Sequence, residues 1–425
     1  MKIAIVGTGI AGNTAAYHLC REHDISVFEA NDYIGGHTHT VDVRLGTETY
    51  AVDTGFIVFN DWTYPNFIAL LDELGVASQP STMSFSVRCD ATGLEYNGGS
   101  LNGLFAQRGN LFRPAFLGML RDILRFNRAA PRLLDNTGDE LPLGDYLAQA
   151  GYGHAFIDRY LVPMGAAIWS SEPRRMLEFP ARNFVRFFHN HGLLNLVERP
   201  QWRVIRGGSR ASLAPLTAPY RTRIRRDTPV ARITRGPGHV ELTLGDGSRA
   251  RFDAVFLACH SDQALRLLAE PSAAERAVLG AIPYQDNEVV LHTDTRLLPR
   301  NRRAWAAWNY HIPTQAAAGV SVTYNMNILQ GLRAPETFCV TLNETAAIDP
   351  ARVIERYTYE HPVYTPEGIA AQARHREIDG TLNTYYCGAY WRHGFHEDGV
   401  VSALAAVDHF RQDQRDAQLS LRRAG

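Results

Sequence analysis

The pattern that most constrains the fold of this chain lies in its first 37 residues. A short apolar run, Lys2–Val6, is followed at once by Gly7-Thr8-Gly9-Ile10-Ala11-Gly12, and a helix-like stretch continues to about Arg21. Ile25–Glu29 then resembles a second strand with an acidic end, and Gly35-Gly36-His37 follows shortly after. A glycine-rich loop between a strand and a helix, with an acid about 20 residues further on, indicates a Rossmann-type dinucleotide-binding unit.

Each glycine of the loop has a physical role in such a unit. Gly7 permits the tight turn out of the strand, Gly9 lacks a Cβ so that the backbone can approach a pyrophosphate, and Gly12 lets the helix pack on the sheet. The helix N-terminus offers free N–H groups and a partial positive charge to the phosphates. The carboxylate of Glu29 is placed to accept hydrogen bonds from the adenosine ribose. The glycine pair that follows favours FAD over NAD.

Composition limits the classes of protein to which the chain can belong. Its 425 residues are long for one core and predict two structural domains. An apolar content of 45% with 20% charged residues is typical of a soluble globular enzyme, and a net charge of -1 gives no overall attraction to nucleic acid. The five cysteines are scattered without a CxxC pair or a metal quartet, which favours a reduced, cytoplasmic setting. No run approaches the roughly 18 apolar residues needed to span a bilayer.

The order of elements predicts an α/β fold with a discontinuous, Rossmann-like FAD-binding domain of the two-dinucleotide-motif type and an inserted mixed α+β substrate domain. The FAD-binding domain is predicted at residues 1–75, 201–265 and 375–425, and the substrate-binding domain at 76–200 and 266–374.

Local patterns predict the individual elements of these domains. Thr40–Gly46 and Thr49–Val52 form a hairpin, and Phe252–Cys259 forms a buried strand followed by a helix with Ser261 as its N-cap. Leu111–Arg128 is predicted to be a helix. Alternating runs between residues 282 and about 345 predict an antiparallel sheet.

Further motifs recur along the whole chain, namely Asp53-Thr54-Gly55, Gly207-Gly208, Gly388 and Asp398-Gly399. Together with the glycine loop, Glu29 and Gly35-Gly36, their order and spacing resemble the FAD-dependent amine oxidase superfamily, which also contains the phytoene desaturases and protoporphyrinogen oxidases. The resemblance implies FAD as cofactor and a redox activity.

A narrower resemblance rests on Tyr160–Met164 with Ala167–Ser170, Arg199–Trp202, Cys259–Gln263, Ala304–Tyr310, and Tyr386–Trp391 with Gly394–Gly399. These segments look like those of a bacterial group of predicted flavin-binding oxidoreductases, often encoded beside cyclopropane-fatty-acid synthases. A similar domain is fused to the N-terminus of plant cyclopropane-fatty-acid synthases. The association implies modification of lipid acyl chains.

The superfamily resemblance also implies which residues contact FAD. Those near the pyrophosphate and ribose are Gly7, Thr8, Gly9, Ile10, Ala11, Gly12, Glu29, Ala30, Gly35, Gly36 and His37. Those near the flavin ring or the adenine are Thr54, Gly55, Phe56, Val230, Gly388, Asp398, Gly399 and Val400. Most relatives have arginine where His37 stands, and a neutral histidine offers one donor instead of a guanidinium fork. The start of the last helix stabilises negative charge at flavin N1/O2.

Candidate catalytic residues lie near the flavin end. Tyr390 and Trp391 either form one wall of the site or belong to an aromatic core. His393 and His396 share the loop before the last helix, and each is either a general base near neutral pH or a loop histidine bonded to the backbone. Many amine oxidases hold a lysine near flavin N5, whereas this chain has few lysines and none at the expected places, which disfavours classical amine oxidation.

Two further residue sets have a functional and a structural interpretation. One suits a long apolar pocket, although a place in the core is favoured for any single member: Trp169, Ser170, Trp305, Trp308, Tyr310 and Tyr324. The other, Arg121, Arg125 and Arg128, belongs either to a basic amphipathic helix on an anionic membrane or, as we favour, to the solvated face of a packed helix.

The sequence thus predicts an amine oxidase-like, FAD-dependent oxidoreductase, in which an apolar substrate such as a modified fatty acyl chain is oxidised or desaturated by hydride transfer to flavin N5. A redox-neutral lipid isomerase, an amine oxidase and a non-catalytic flavoprotein that supports a lipid methyltransferase stay open. The absence of a second GxGxxG disfavours an NAD(P)H reductase. Expected partners are a lipid substrate, the inner membrane face and a cyclopropane-fatty-acid-synthase-like methyltransferase, with no nucleic acid and no metal.

Overall fold

The computed structural model describes residues 1–135, 140–314 and 320–424, with the backbone alone for 421–424. The strands are β1 (Lys2–Val6), β2 (Asp24–Phe28), β3 (Thr40–Leu45), β4 (Glu48–Asp53), β5 (Phe59–Asn60), β6 (Ser78–Pro80), β7 (Phe85–Cys89), β8 (Leu94–Asn97), β9 (Trp202–Ile205), β10 (Ile224–Arg225), β11 (Val230–Gly236), β12 (His239–Leu244), β13 (Arg249–Phe252), β14 (Ala254–Leu257), β15 (Tyr284–His292), β16 (Trp308–Ile312), β17 (Val322–Asn325), β18 (Cys339–Leu342), β19 (Val353–Pro362) and β20 (Thr384–Tyr386).

The helices connect these strands and dominate the region between β8 and β9. They are α1 (Ile10–Leu19), α2 (Pro65–Glu73), α3 (Leu101–Leu104), α4 (Pro114–Ala129), α5 (Leu143–Gln149), α6 (His154–Phe156), α7 (Val162–Trp169), α8 (Pro173–Met176), α9 (Ala181–Asn190), α10 (Leu213–Thr217), α11 (Ser261–Leu267), α12 (Ala273–Leu279), α13 (Met326–Leu329), α14 (Pro366–Gln372), α15 (His375–Ile378) and α16 (His396–Ala424).

A five-stranded parallel sheet, in the order β10-β2-β1-β14-β20, forms the centre of the cofactor half. Alternate residues of β1 point to the two faces of the sheet. Ile3 and Ile5 pack in a cluster with α1 and α16, whereas Ala4 and Val6 pack in a cluster with the β11-β12-β13 sheet. Because both faces are covered, the strands are almost uniformly apolar. The loops after β1, β2, β14 and β20 leave the same edge of the sheet, where open α/β sheets bind their ligands.

A seven-stranded sheet forms the centre of the other half, in the order β19-β15-β18-β17-β16-β7-β8. Its pairs are antiparallel except for β16 with β7, so the antiparallel sheet predicted from residue 282 onwards is present. A large apolar cluster joins this sheet to α4, α5, α7 and α9. The domain boundaries proposed from the sequence stay a prediction.

Two predicted boundaries are wrong by a few residues. The helix predicted from Leu111 begins at Pro114, after a 3₁₀ turn at Arg108–Phe112. Proline favours the first helical turn and holds the residue before it in an extended conformation. The predicted strand Phe252–Cys259 is divided at Asp253, whose carboxylate accepts the Lys2 backbone N–H at 2.7 Å.

The N-cap predicted at Ser261 is also wrong. His260 is the N-cap of α11, and its backbone N–H donates to Gln263 Oε1 at 3.3 Å. The backbone N–H of Ser261 donates to the Tyr284 hydroxyl at 3.1 Å.

The hairpin predicted over residues 40–52 is present as β3 and β4. None of the helices within the described ranges is long and apolar enough to cross a membrane.

Candidate cofactor and substrate site

The glycine loop after β1 has the geometry predicted for a phosphate-binding turn. Gly7 has φ +103°, and a Cβ there would lie 2.7 Å from the Ala258 carbonyl oxygen of β14's loop. A Cβ on Gly12 would overlap the Gly7 carbonyl and reach the Ala258 side chain at 3.0 Å. A Cβ on Gly9 would have nothing within 4 Å. Gly7 and Gly12 are therefore required by packing, whereas Gly9 faces open space at the N-terminus of α1.

Glu29 ties the end of β2 to this loop. Its Oε2 accepts the Thr8 backbone N–H at 3.0 Å and also the Thr8 hydroxyl, and its Oε1 accepts the backbone and side-chain N–H groups of Asn31 at 3.0 and 3.1 Å. A carboxylate has about four acceptor positions. The network therefore orients the carboxylate, and the sequence analysis did not anticipate Asn31 as its second partner.

The second glycine pair lies directly against the first loop. A Cβ on Gly36, which has φ +56°, would be 3.3 Å from the Gly9 Cα, and the Gly35 N–H donates to the Thr8 hydroxyl at 3.2 Å. The two glycine-rich loops, which make contact between residues 27 apart in sequence, thus form one surface beside the open face of Gly9.

The predicted flavin-ring residues and the start of the last helix also meet. The Phe56 ring stacks on His396, with centroids 3.5 Å apart and planes 17° from parallel. His396 begins α16, and its Nε2 lies 2.8 Å from the Thr38 hydroxyl. A Cβ on Gly399 would lie 2.6 Å from Ile10 Cγ2, so the first turns of α16 and α1 are in contact. Both N-termini direct their partial positive charge toward this region.

Two ionisable groups at this end have strongly shifted pKa values. Burial lowers the pKa of His396 to about 3, so its ring is neutral at pH 7. Burial raises the pKa of Asp398 to about 6, although its Oδ2 accepts the N–H groups of Phe395 and His393 at 2.9 and 3.2 Å. Asp398 thus holds the loop before α16 in place.

One face of β19 forms a wall of the site whose residues were not among those predicted. Tyr357, Tyr359 and His361 alternate along the strand and contact His37 or His39 through their rings. The Tyr359 hydroxyl lies 2.9 Å from both His39 Nδ1 and the Thr54 hydroxyl. Their period-2 spacing was the available signal, because alternate residues of a strand share one face.

His37 is buried between this wall and the loop after β14. Its ring centroid lies 4.9 Å from that of Tyr359, 5.5 Å from that of His361 and 6.3 Å from that of His260. Burial and the neighbouring histidines lower its pKa well below the usual range. Its Nε2 has no hydrogen-bond partner within the described ranges. A buried ring nitrogen without a partner, next to the open face of Gly9, fits a cofactor that supplies the missing group.

The remaining catalytic candidates have the following surroundings. Tyr390 and Trp391 belong to the apolar cluster on the β11-β12-β13 side of the parallel sheet, and Trp391 stacks on His375 at 3.9 Å. His393 faces Phe187 at 5.5 Å, and burial lowers its pKa to about 4. Their catalytic roles stay a prediction.

Three predicted cofactor contacts are placed as follows. Val230 begins β11, where it pairs with Leu244. The Gly388 N–H donates to the Ser402 hydroxyl at 2.9 Å, and Val400 packs beneath α1.

An aromatic box lies beside the start of α16. We use this name for Trp169, Phe179, Phe184, Phe187, Tyr364 and Phe395. Trp169 contacts Phe179 and Phe187 at 4.9 and 4.7 Å, and Phe187 stacks on Phe395 at 5.5 Å. Within the part of the chain that the structure describes, Trp169 Nε1 and the Tyr364 hydroxyl have no partner. The box is thus apolar with two unused polar atoms.

Of the other proposed pocket residues, Trp308 and Tyr324 contact each other at 4.9 Å, and Tyr310 contacts Phe85 at 6.4 Å. Trp305 donates its indole N–H to the Pro299 carbonyl at 2.7 Å. Ser170 ends α7 with φ +49°. The tryptophans and tyrosines therefore belong to the seven-stranded sheet and its loops, and Ser170 belongs to the end of α7.

A π-helical turn at Ile157–Leu161 leads into the helix that ends at Trp169. Pro163 has no N–H, so the Arg159 carbonyl four residues earlier lacks its helical donor. The Tyr96 hydroxyl donates to that carbonyl at 2.7 Å. This contact fixes the helix to β8 of the seven-stranded sheet.

Comparison with known proteins gives the class of protein that this fold and site define. Residues 10–324 match the model of the family "Flavin containing amine oxidoreductase". The match covers well over half of the chain, so the chain belongs to this family, and the superfamily predicted from the motifs is confirmed. No curated protein sequence matches the chain closely enough to count as a relative.

Solved structures show the same fold over nearly the whole chain. Cyclohexylamine oxidase from Brevibacterium oxydans IH-35A is 17% identical with a TM-score of 0.67, covering 96% of this chain and 99% of its own. A CLA-producing fatty acid isomerase from P. acnes is 18% identical with a TM-score of 0.68, covering 96% and 98%. A variant of putrescine oxidase is 15% identical with a TM-score of 0.69, covering 97% and 99%.

The family identifies the chain as an FAD-dependent oxidoreductase, as the motifs predicted. The residues fit this cofactor on two observations, namely the open face of Gly9 and the unpartnered Nε2 of His37. Gly9 and Gly36 would hold its phosphates, and Phe56 and the start of α16 would hold its ring. The ribose contact of Glu29 stays a prediction, because Thr8 and Asn31 already donate four hydrogen bonds to its carboxylate.

Proposed function

We propose that the protein oxidises or desaturates a long apolar acyl chain. The observation that carries this proposal is the aromatic box, because its Phe395 directly precedes His396 and also packs against the apolar cluster that contains Phe56. A wall of large rings binds a hydrocarbon chain by removing its surface from water, at roughly 25 cal/mol per Å². FAD, when bound, supplies the redox step by accepting a hydride from the substrate.

The charges near the site also favour an uncharged reacting group. The only lysine of the chain is Lys2, which begins β1 at the edge of the parallel sheet opposite the glycine loop. The histidines near Phe56 are neutral at pH 7, because burial lowers the pKa of His396 to about 3 and that of His361 to about 4. Neutral histidines and large rings suit a carbon–hydrogen bond in an acyl chain.

Anaerobic titration of the holoenzyme tests the proposal. We expect the oxidised flavin band, near roughly 450 nm for this cofactor class, to bleach with phospholipids that carry unsaturated or methyl-branched acyl chains. Mass spectrometry should then show an acyl product that has lost two hydrogens. Bleaching by cyclohexylamine or putrescine, with none by any lipid, would contradict the proposal.

A redox-neutral lipid isomerase is the second candidate. It is favoured by the fold shared with the CLA-producing fatty acid isomerase. The two activities differ in their products, because an isomerase turns over without an electron acceptor and leaves the mass of the acyl chain unchanged. Product analysis under anaerobic multiple turnover separates them.

The sequence resemblance also supports a partner, a cyclopropane-fatty-acid-synthase-like methyltransferase that would supply the modified acyl chain. Co-purification from a strain that expresses both proteins tests this association. If methyl transfer needs the flavoprotein but survives replacement of Phe56 and His396, a supporting role is favoured over catalysis.

A further inference from the structure

An exposed apolar surface lies on the helical region between β8 and α5. Phe112 is 85% exposed and Leu101 78%, while Leu111, Leu117 and Leu124 are each 44 to 47% exposed. We call these five residues the Phe112 face. Single exposed apolar side chains are ordinary, but a group of five on adjoining elements indicates an interaction surface.

The Phe112 face has a rigid support. Below it, Phe116 of α4 contacts Phe105 at 5.9 Å and Tyr96 of β8 at 5.7 Å. Arg108 ties the 3₁₀ turn to α3 by donating to Asn102 Oδ1 at 2.6 Å and to the Phe105 carbonyl at 2.8 Å. Phe112 therefore projects from an anchored turn.

The outward side of α4 mixes apolar and basic side chains. Leu117, Arg121, Leu124 and Arg128 recur at spacings of four, three and four residues, which places them on one face of the helix. The opposite face, with Phe116, Met119 and Phe126, is buried. The exposed stripe thus combines leucine with arginine.

The predicted basic stripe is only partly correct. Arg125 points toward α5, where it donates to the Ala150 and Gly151 carbonyls at 3.1 and 2.8 Å and stacks over the Tyr152 ring. It caps the end of α5. Arg121 and Arg128 are exposed beside Leu117 and Leu124.

The charge around this face is strongly one-sided. Between Gly98 and Leu134 the sequence has six arginines and one acid, Asp122, whose side chain is buried. Arg302 and Arg303 are also exposed, on a turn that packs against α3. Arg108, Arg113, Arg121 and Arg128 flank the apolar side chains, and in the described part of the chain the acidic neighbour of Arg121 is Asp122 at 3.9 Å, which Arg125 shares at 3.3 Å.

We propose that the Phe112 face docks the protein onto an anionic phospholipid bilayer. Phe112 and the leucines enter the boundary between headgroups and acyl chains, and the arginines contact the lipid phosphates. Charge complementarity selects this occupant, because anionic lipids attract basic side chains near the surface. The inference does not rest on the proposed function, because its test measures the binding of the protein to vesicles and not its activity.

Vesicle co-sedimentation of the full-length holoprotein tests the proposal. We expect binding to vesicles of phosphatidylglycerol with phosphatidylcholine, weak binding to phosphatidylcholine alone, and loss of binding as salt is raised. Phe112→Ser combined with Leu117→Ser should weaken binding at least about tenfold. Arg113→Glu, Arg121→Glu and Arg128→Glu together should weaken it about a hundredfold or more.

Matched controls come from exposed residues elsewhere. Leu196→Ser with Val197→Ser removes two apolar side chains that are 64% and 77% exposed, and Arg232→Glu with Arg251→Glu reverses two exposed arginines on the β11-β12-β13 sheet. Both controls should bind vesicles like the unaltered protein. An unchanged flavin spectrum in every variant shows that the fold is retained.

Three results would overturn the proposal. The first is that the unaltered protein fails to bind anionic vesicles, and the second is that the controls lose as much binding as the test variants. The third is that sedimentation velocity shows a dimer which Phe112→Ser with Leu117→Ser dissociates while vesicle binding is unchanged. The face would then join two copies of this chain.

Discussion

Replacement of Gly9 by alanine should separate cofactor binding from folding. Gly9 has φ -63° and ψ 178°, a conformation that alanine adopts without strain, and its Cβ would meet nothing within 4 Å. Gly12, three residues later, is different, because its Cβ would overlap the Gly7 carbonyl. The same change in one loop therefore has opposite expected effects on the apoprotein.

The magnitudes follow from these geometries. Gly9→Ala should leave the free energy of unfolding of the apoprotein unchanged or raise it by about 0.4–1 kcal/mol, because alanine restricts the unfolded chain. The new methyl group keeps the phosphate from the N–H groups of α1. Losing one hydrogen bond to a charged group costs about 1.5–3 kcal/mol, or about a 10- to 150-fold increase in the Kd for FAD. Gly12→Ala should lower the free energy of unfolding by about 1–3 kcal/mol through overpacking.

Two measurements on each variant test this expectation. Urea unfolding of the apoprotein gives the free energy of unfolding, and quenching of flavin fluorescence gives the Kd for FAD. Gly118→Ala is the matched control, because Gly118 lies in α4 with nothing within 4 Å of its Cβ position. This control should stabilise the apoprotein by about 0.5–1 kcal/mol and leave the Kd unchanged.

The reasoning is refuted if Gly9→Ala binds FAD as tightly as the unaltered protein. It is equally refuted if Gly9→Ala destabilises the apoprotein as much as Gly12→Ala does. In the first case the pyrophosphate does not approach Gly9, and in the second the open face seen beside Gly9 is not open in solution.

Three further predictions concern titrating groups. Both ring nitrogens of His311 face carboxylates, Glu344 at 2.6 Å and Asp90 at 2.7 Å. Burial opposes the charge of the ring, but the two carboxylates raise its pKa. The stabilisation by His311 is therefore present below about pH 6.5 and is lost as the pH rises through the raised pKa. His311→Gln should therefore lower the free energy of unfolding at about pH 6 and much less at about pH 9, as measured by urea unfolding. Burial raises the pKa of Asp398 to about 6, so the folded apoprotein retains a proton that the unfolded chain releases near pH 4. The free energy of unfolding therefore falls as the pH rises from about 4 to 6. Asp398→Asn should reduce that slope to about half, because burial also raises the pKa of Asp53 to about 6; an unchanged slope would show that Asp398 is ionised throughout. Burial lowers the pKa of His396 to about 3, so this residue does not titrate between about pH 5 and 8. The pH dependence of the flavin reduction rate in stopped flow should therefore keep the same shape in His396→Gln over this range. A titration step that is lost in the variant would contradict the burial of His396.

The cofactor loops could be predicted because their information is local. Gly7, Gly9 and Gly12 lie within one strand–turn–helix, and the conformation of each follows from its immediate neighbours. The contact of Gly36 with Gly9 follows from the Rossmann topology once both loops are placed at one edge of the sheet. The helix start at Pro114 was also available, since proline marks a first turn.

The wall of the site could not be predicted in the same way. Tyr359 meets His39 and Thr54 across more than 300 residues of sequence, and that contact depends on the pairing of β19 with β15. The sequence shows that Tyr357, Tyr359 and His361 share a face, but it does not show what the face contacts. Likewise, the place of Trp391 against His375 is decided by tertiary packing of the loop before α16.

The position of β19 at the edge of its sheet affects how the site is assembled. Among the described strands it pairs with β15 alone, so it is held by one ladder of backbone hydrogen bonds, whereas β1 and β14 are each held by two. The wall of Tyr357, Tyr359 and His361 therefore lies on a strand that backbone hydrogen bonds hold from one side only. Displacement of β19 would break this one ladder and uncover the rings that face His37 and His39.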